Sequence, residues 1–420
     1  MSLLIKGGRV IDPASGRDEV GDVYVDKGRI AEKKGKADET IDARGLVVAP
    51  GLIDLAARLR EPGQEYKATL ASEMDAAVAG GVTSLACPPD THPPLDEPGL
   101  VDMLRRRAKA LARARVYPVG ALTVKLAGER LTEMSVLAEA GCVAFSQSNV
   151  PITDTQVLWR ALQYAATFGY PVWLRAEDKW LSREGVAHDG DMATRLGLAG
   201  IPAFTETIAL ATILQLVRAT GARVHVCRLS TAAAVDMMRE AKKQGLPVTC
   251  DVGIHYVHLS EMDLGYYDAH CRLDPPLRSQ RDRDALASGL ADGTIDCAVS
   301  DHAPVDEDQK QLPFAEAETG ATGLELLLPL ALKWGAARKL PLARTLARVT
   351  SDAARILGVQ SGRVAPGAPA DLVVFDPDEA WRVIPAALRS QGKNSPFLGY
   401  ELAGRVRATI VAGNVVFRQG

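Results

Sequence analysis

Pro50-Gly51-Leu52-Ile53-Asp54-Leu55-Ala56-Ala57-Arg58-Leu59-Arg60-Glu61-Pro62-Gly63 reads as an apolar strand, 52–58, that runs into a turn. Working outward, further strand candidates centre on 82–87, 115–121, 142–147, 171–176, 223–228, 247–252 and 295–300. Amphipathic stretches at 68–79, 100–111, 155–167, 205–219 and 232–243 alternate with them. A strand–helix alternation over eight strand candidates predicts an α/β protein built on a (β/α)8 barrel, spanning 51–359. In such barrels function sits at the C-terminal ends of the strands.

The two ends of the chain have a different pattern. Leu3-Leu4-Ile5, Gly8-Arg9-Val10-Ile11, Val23-Tyr24-Val25, Arg29-Ile30-Ala31 and Thr40-Ile41-Asp42 are short strands separated by Gly7-Gly8, Pro13 and Gly16. Asp371-Leu372-Val373-Val374-Phe375 and Ala408-Thr409-Ile410-Val411-Ala412 echo them near the C-terminus. Segments 1–50 and 360–420 are therefore expected to pair into one small composite β-sandwich.

Composition narrows the function classes. With 420 residues, 47% hydrophobic and 24% charged, the chain is ordinary for a globular protein. Its net charge of -3 supplies no electrostatic case for nucleic acid or an anionic membrane. No run of about 18 apolar residues is present, and the N-terminus lacks a signal-peptide pattern, so no membrane contact is expected. Cys87, Cys142, Cys227, Cys250, Cys271 and Cys297 form no C-x-x-C pair and mostly sit in apolar runs. They are expected to be reduced, buried small hydrophobes in a cytoplasmic protein. A thiolate metal site is the alternative if the fold gathers strand ends.

Several landmarks follow one another along the chain: Leu59-Arg60-Glu61-Pro62-Gly63, Gly81-Val82-Thr83-Ser84, Arg272-Leu273-Asp274-Pro275-Pro276-Leu277-Arg278, Ser300-Asp301-His302-Ala303-Pro304 and Gly362-Arg363-Val364-Ala365-Pro366-Gly367. In order and spacing the chain resembles the dihydroorotase family of amidohydrolases over nearly its whole length. The resemblance implies a TIM barrel of the amidohydrolase type. It also implies positions for a zinc site: two histidines on strand 1, an acid on strand 4, a histidine on each of strands 5 and 6, and an aspartate on strand 8. At those positions this chain has Ala56 and Arg58, then Gln147 in Phe145-Ser146-Gln147-Ser148-Asn149, then Arg175, Arg228 and Asp301. Positions that resemble substrate contacts are Arg60, Asp90 in Pro89-Asp90-Thr91, Asp274, and Val305 where the family closes its Asp-His-Ala-Pro-His motif.

A methyl group cannot ligate a metal, and a guanidinium with a pKa above ~12 offers donors but no lone pair. Two unit charges about 4 Å apart repel by ~4 kcal/mol at an effective dielectric of 20, so three arginines oppose a cation there. The expectation is a vestigial site with no metal, no cofactor and no catalytic residue, that is, a protein that is not an enzyme. Arg58, Arg175 and Arg228 are read as an internal charge network with Asp301, Glu177, Asp178 and Asp90, or as a new anion site. His225 is an odd number of residues before Arg228 and is expected on the opposite face as a packed core residue. His255 and His258 read as a loop pair at the barrel mouth and His302 as a loop-shaping residue.

Three functions follow. The resemblance points to a non-catalytic partner of aspartate carbamoyltransferase catalytic chains in pyrimidine biosynthesis, a homo-oligomer within a hetero-oligomer. The alternatives are an amidohydrolase on a cyclic amide with displaced or no metal ligands, and an anion-sensing regulatory subunit. Loops 180–200 and 305–320, and the terminal sheet, are the candidate contact surfaces.

Overall fold

The computed structural model describes residues 2–32 and 37–419. Leu52–Asp54, Val82–Cys87, Arg115–Ala121, Ala144–Ser146, Val172–Arg175, Val224–Cys227, Val248–Gly253 and Cys297–Val299 lie side by side in chain order as barrel strands 1 to 8. Every ladder between neighbours is parallel. Strands 1 and 8 meet just past their ends through a bridge between Ala57 and His302. There Arg58 N donates to His302 O at 2.9 Å and His302 N donates to Ala56 O at 3.0 Å. Ala56 and Arg58 therefore sit on the seam that closes the barrel.

Side-chain alternation sorts the strand residues into two cores. Ile53, Ala86, Val119, Ala144, Trp173, Cys297 and Val299 face inward, where Ala353, Ala354 and Leu357 of the helix Ser351–Leu357 join them. Leu52, Leu85, Phe145, Val172, Leu174, Val224, Val226 and Ala298 face outward into the helical layer. That layer includes Leu70–Ala79, Pro98–Leu111, Thr155–Phe168, Phe204–Thr220 and Ala232–Lys243, close to the expected stretches. Side-chain caps set several of their starts: Thr69 accepts from Ser72 N at 3.2 Å and Thr231 from Ala234 N at 3.2 Å. The helix Leu327–Ala337 was not anticipated because its residues are mostly apolar and buried, which erases the period that marks a half-buried helix.

The Leu59–Gly63 landmark has structural duties. Glu61 accepts from Leu70 N at 2.8 Å, at the start of the first outer helix. Gly63 has φ +92°, and a Cβ there would lie 1.8 Å from His92 O, so only glycine lets this turn dock on the loop that carries Asp90.

Both chain ends enter one eight-stranded sheet. Leu372–Arg382 pairs antiparallel with Val47–Pro50 and with Glu401–Val411, while Ser2–Asp12 pairs with Arg17–Asp26. A register shift between Ile5 and Gly8 divides the first strand, so Glu39–Asp42 pairs with one half and Val47–Pro50 with the other. This sheet has its own core, built from Leu3, Ile5, Val23, Val48, Leu372, Val374 and Ile410 among others. Thr409 Oγ1 ties it to the barrel by donating to Val78 O at 2.6 Å. Among the described residues no helix is long and apolar enough to cross a membrane.

Candidate functional site at the barrel mouth

Four guanidiniums and four carboxylates meet at the C-terminal ends of the strands. Arg58 Nε donates to Asp90 Oδ2 at 2.7 Å, and its Nη1 reaches Asp301 Oδ1 at 3.4 Å. Arg228 Nη1 reaches the same Asp301 oxygen at 3.3 Å. Arg175 pairs with Asp274 and, at 2.8 Å, with Glu177. Arg60 donates from Nε to Pro304 O at 2.8 Å and from Nη1 to Gln64 Oε1 at 3.2 Å. The charges of Arg58, Arg60, Arg175 and Arg228 are balanced by Asp90, Glu177, Asp274 and Asp301.

Burial decides what this network does electrostatically. The side chains of Arg58, Arg175, Arg228 and Asp301 are only 5–8% exposed, whereas those of Asp90 and Asp274 are 25% exposed and form its outer edge. Burial alone would raise the Asp90 carboxyl, but the charge and hydrogen bond of Arg58 bring it down to about 2. Asp274 is likewise lowered, Arg175 overcoming the effect of burial. Burial and the like charge of Arg58 lower Arg60. At this edge an incoming anion meets the Asp90 and Asp274 carboxylates before the Arg58 and Arg175 guanidiniums.

Asn149 is the residue the sequence reading passed over. Its Oδ1 accepts from Arg58 Nη2 at 2.9 Å and from Arg228 Nη2, and its Nδ2 donates to Asp274 Oδ2 at 3.2 Å. Gln147, at the position expected for an acid, instead accepts from Thr123 Oγ1 at 2.9 Å and donates to Leu126 O at 2.8 Å, away from the network. Ser148 between them has φ +53°, and this left-handed turn carries Asn149 into the mouth. Asp178 also stays outside the network, capping the helix Lys179–Ser182 by accepting from Trp180 N and Leu181 N at 3.0 Å. Ala56 is buried at the seam, and Val305 is fixed by its N donating to Asn394 Oδ1 at 3.0 Å.

The histidines depart from expectation in two places. Trp173, beside His225 in the ladder, faces the barrel interior, and so does His225; Arg228 also turns inward because its φ is +54°, which breaks the strand alternation. Odd spacing therefore does not place them on opposite faces. His255 and His258 do not form a pair: His258 Nε2 meets Leu330 O at 2.9 Å, and His255 is buried with its Nε2 lacking a partner among the described residues. That nitrogen lies 3.9 Å from Asp301 Oδ2, beyond hydrogen-bond range. Burial lowers His255 to about 4, so the ring is neutral at pH 7. His302 Nε2 is bound to Glu73 Oε2 at 2.7 Å in the closed interior, anchoring strand 8 to the first helix.

The residues at the family's metal positions do not fit a metal. Ala56, Arg58, Arg175 and Arg228 have no lone pair to give, Gln147 is engaged elsewhere, and one Asp301 oxygen is shared by two guanidiniums. A second group of donors, His225, Cys227 and Asp251, lies deeper on strands 6 and 7.

Comparison with known proteins adds the family context. The dihydro-orotase-like family model matches residues 45–234 and the amidohydrolase family model matches 185–417. A "Dihydroorotase-like protein" of Pseudomonas aeruginosa is 43% identical over 99% of both chains. A "Dihydroorotase" of Trichlorobacter lovleyi is 43% identical, again over 99% of both. The structure of an L-hydantoinase (dihydropyrimidinase) from Arthrobacter aurescens superposes with a TM-score of 0.89 at 25% identity, covering 100% of this chain and 96% of that one. These matches correct the expectation that the chain is not an enzyme: full-length relatives bear an enzyme's name, the superposed structure is a hydrolase, and both lean toward an active amidohydrolase. The missing ligands argue against one metal arrangement, not against an activity.

Proposed function

Since this chain belongs to the dihydroorotase-like amidohydrolase family, we propose that it opens a cyclic amide bearing a carboxylate, at the arginine-rich mouth and without the family's metal arrangement. The observation that carries this reading is the buried Nε2 of His255, without a hydrogen-bond partner among the described residues and 3.9 Å from Asp301 Oδ2 beside two guanidiniums. A neutral imidazole there takes a proton from water as the water oxygen bonds to the ring carbonyl carbon. Guanidinium N–H donors stabilise the resulting oxyanion, and the C–N bond breaks as His255 returns the proton to the leaving nitrogen. The remaining guanidinium charge suits the substrate carboxylate, which takes the place of Asp90 or Asp274. A recess of about 130 Å³ lined by Gln147, Arg175, Glu177 and Trp180 adjoins the network.

The test is ring opening of dihydroorotate and of a carboxylated hydantoin by metal-analysed protein, followed by chromatography of the carbamoyl amino acid product. Turnover that persists after chelation and disappears in His255→Gln supports the reading. Absence of turnover with both compounds overturns it.

A second reading concerns partners and is compatible with turnover. Trp180, Leu181, Phe204 and Ile208 are exposed on the neighbouring helices Lys179–Ser182 and Phe204–Thr220, within or beside the 180–200 region. Exposed apolar clusters of this kind favour a protein partner. Together with the resemblance, this supports assembly with aspartate carbamoyltransferase catalytic chains in pyrimidine biosynthesis. Co-elution of the two proteins that is lost in Trp180→Glu tests it.

A further inference from the structure

We propose that His225, Cys227 and Asp251 form a binding site for a zinc-class divalent cation inside the barrel, below the mouth and apart from the positions the family uses. Their potential ligand atoms all lie within 4.8 Å of one another. One nitrogen, one sulfur and one carboxylate oxygen make a donor set that zinc accepts.

The ladder explains why they converge. Strands 6 and 7 are parallel with His225 beside Thr249 and Val226 beside Cys250, so Cys227 falls beside Asp251. Residues two apart on a strand share a face, which puts His225, Cys227, Thr249 and Asp251 together on the inward one. All three donors belong to strands, so the backbone, rather than a loop, sets their spacing. Cys297 of strand 8 is next to Asp251 in the following ladder and offers a further thiol on the same layer.

Second contacts also fit. His225 Nε2 is 2.8 Å from Asp251 Oδ2, and its Nδ1 is 2.8 Å from Thr249 Oγ1. With no cation bound, Nε2–H donates to Asp251 Oδ2 and Nδ1 accepts from Thr249 Oγ1. Cation binding moves the ring proton to Nδ1, which then donates to Thr249 and frees the Nε2 lone pair, so that the hydroxyl acts as the outer partner that orients a ligating histidine. Asp251 Oδ1 is already held by Arg228 N at 2.7 Å, which leaves Oδ2 for the cation. The charge closes as well: a thiolate and a carboxylate cancel a divalent ion, so the site adds nothing to the balanced arginine network above it. Nε2 and Oδ2 need to part by roughly 0.5 Å to reach ordinary zinc geometry.

This inference does not depend on turnover, because the ring opening proposed above uses no metal. The experiment is cobalt titration of chelated full-length protein, read by absorption and equilibrium dialysis, with zinc competition. The expected result is one cobalt per chain with a thiolate-to-cobalt charge-transfer band, displaced by zinc. The band should vanish in Cys227→Ala and persist in Cys271→Ala, a buried thiol elsewhere. Thr249→Val should weaken binding about 10-fold while keeping the band, as loss of an outer partner does. No stoichiometric cobalt, or a band unaltered in Cys227→Ala, overturns the proposal. If Cys227→Ala does not fold, as judged by circular dichroism, the Thr249→Val affinity decides in the same way. Loss of the cobalt site would leave the ring-opening reading standing, and absence of ring opening would leave the cobalt result standing.

Discussion

Replacing Asp301 by Asn removes the one carboxylate shared by Arg58 and Arg228 while keeping its shape. Breaking a buried pair by deleting one partner costs ~3–5 kcal/mol, because a charge is left buried and uncompensated. Two features of the mouth place Asp301 at the lower end. Its contacts are long, at 3.4 and 3.3 Å, and both arginines keep Asn149 Oδ1 while Arg58 also keeps Asp90. Against this, both Nη1 atoms touch the same oxygen, so the two cations lie within about 7 Å and repel by ~2 kcal/mol at an effective dielectric of 20. The expected loss is about 3 kcal/mol, measured by urea denaturation followed by circular dichroism. The smaller Asp301→Ala should regain part of the loss in formate, whose carboxylate fills the vacated place, while the wild type does not respond. A loss below about 0.5 kcal/mol, with no formate effect, would refute the view that Asp301 neutralises the arginines.

Other perturbations read different parts of the molecule. Asp90 is held at about 2, below its ordinary value of 3.8, so its contribution is complete above about pH 4 and fades as pH falls through about 2. In acid titrations of stability, Asp90→Asn should flatten that window and lower stability at pH 7 by roughly 2 kcal/mol. Asn149→Ala strips an acceptor from two buried guanidiniums and should cost about 2 kcal/mol in the same urea assay. Gly63→Ala forces a side chain at φ +92° into His92 O and should lower the melting temperature more than Gly16→Ala, where nothing lies within 4 Å. Trp180→Glu, on an exposed side chain, should leave stability within about 0.5 kcal/mol while abolishing co-elution with the transferase.

Much of the scaffold is legible in the amino-acid sequence. The eight barrel strands lie within a few residues of the stretches read from apolar runs and breakers, since a strand buried on both faces advertises itself locally. Five outer helices were equally plain from their periods. The buried helix Leu327–Ala337 was not, because a helix apolar on most sides has no period to read. In the site, the arginines at 58, 175 and 228 are legible in the chain as a charge network with Asp90, Glu177, Asp178 and Asp301; of these acids Asp178 caps a helix instead. Asp274 as the partner of Arg175, and Asn149 as the bridge between arginines, were not assigned those parts.

The amino-acid sequence alone determined which chemical groups reach the strand ends: a methyl, guanidiniums and an amide at positions where the family places metal ligands. Residue identity is a local property, and no fold can give a guanidinium a lone pair. Only the tertiary structure decided who meets whom. Ser148, Arg228 and Asp301 have φ of +53°, +54° and +47°, which redirects side chains at three strand ends in a way that strict alternation does not foresee. The parallel register of strands 6 and 7 brings Asp251 to His225 across 26 positions of chain. Burial of the turn Ile254–Val257 after strand 7 leaves His255 Nε2 without a partner among the described residues. Pairing, burial and backbone hand at a strand end belong to the closed barrel as a whole, because each depends on groups far apart in the chain.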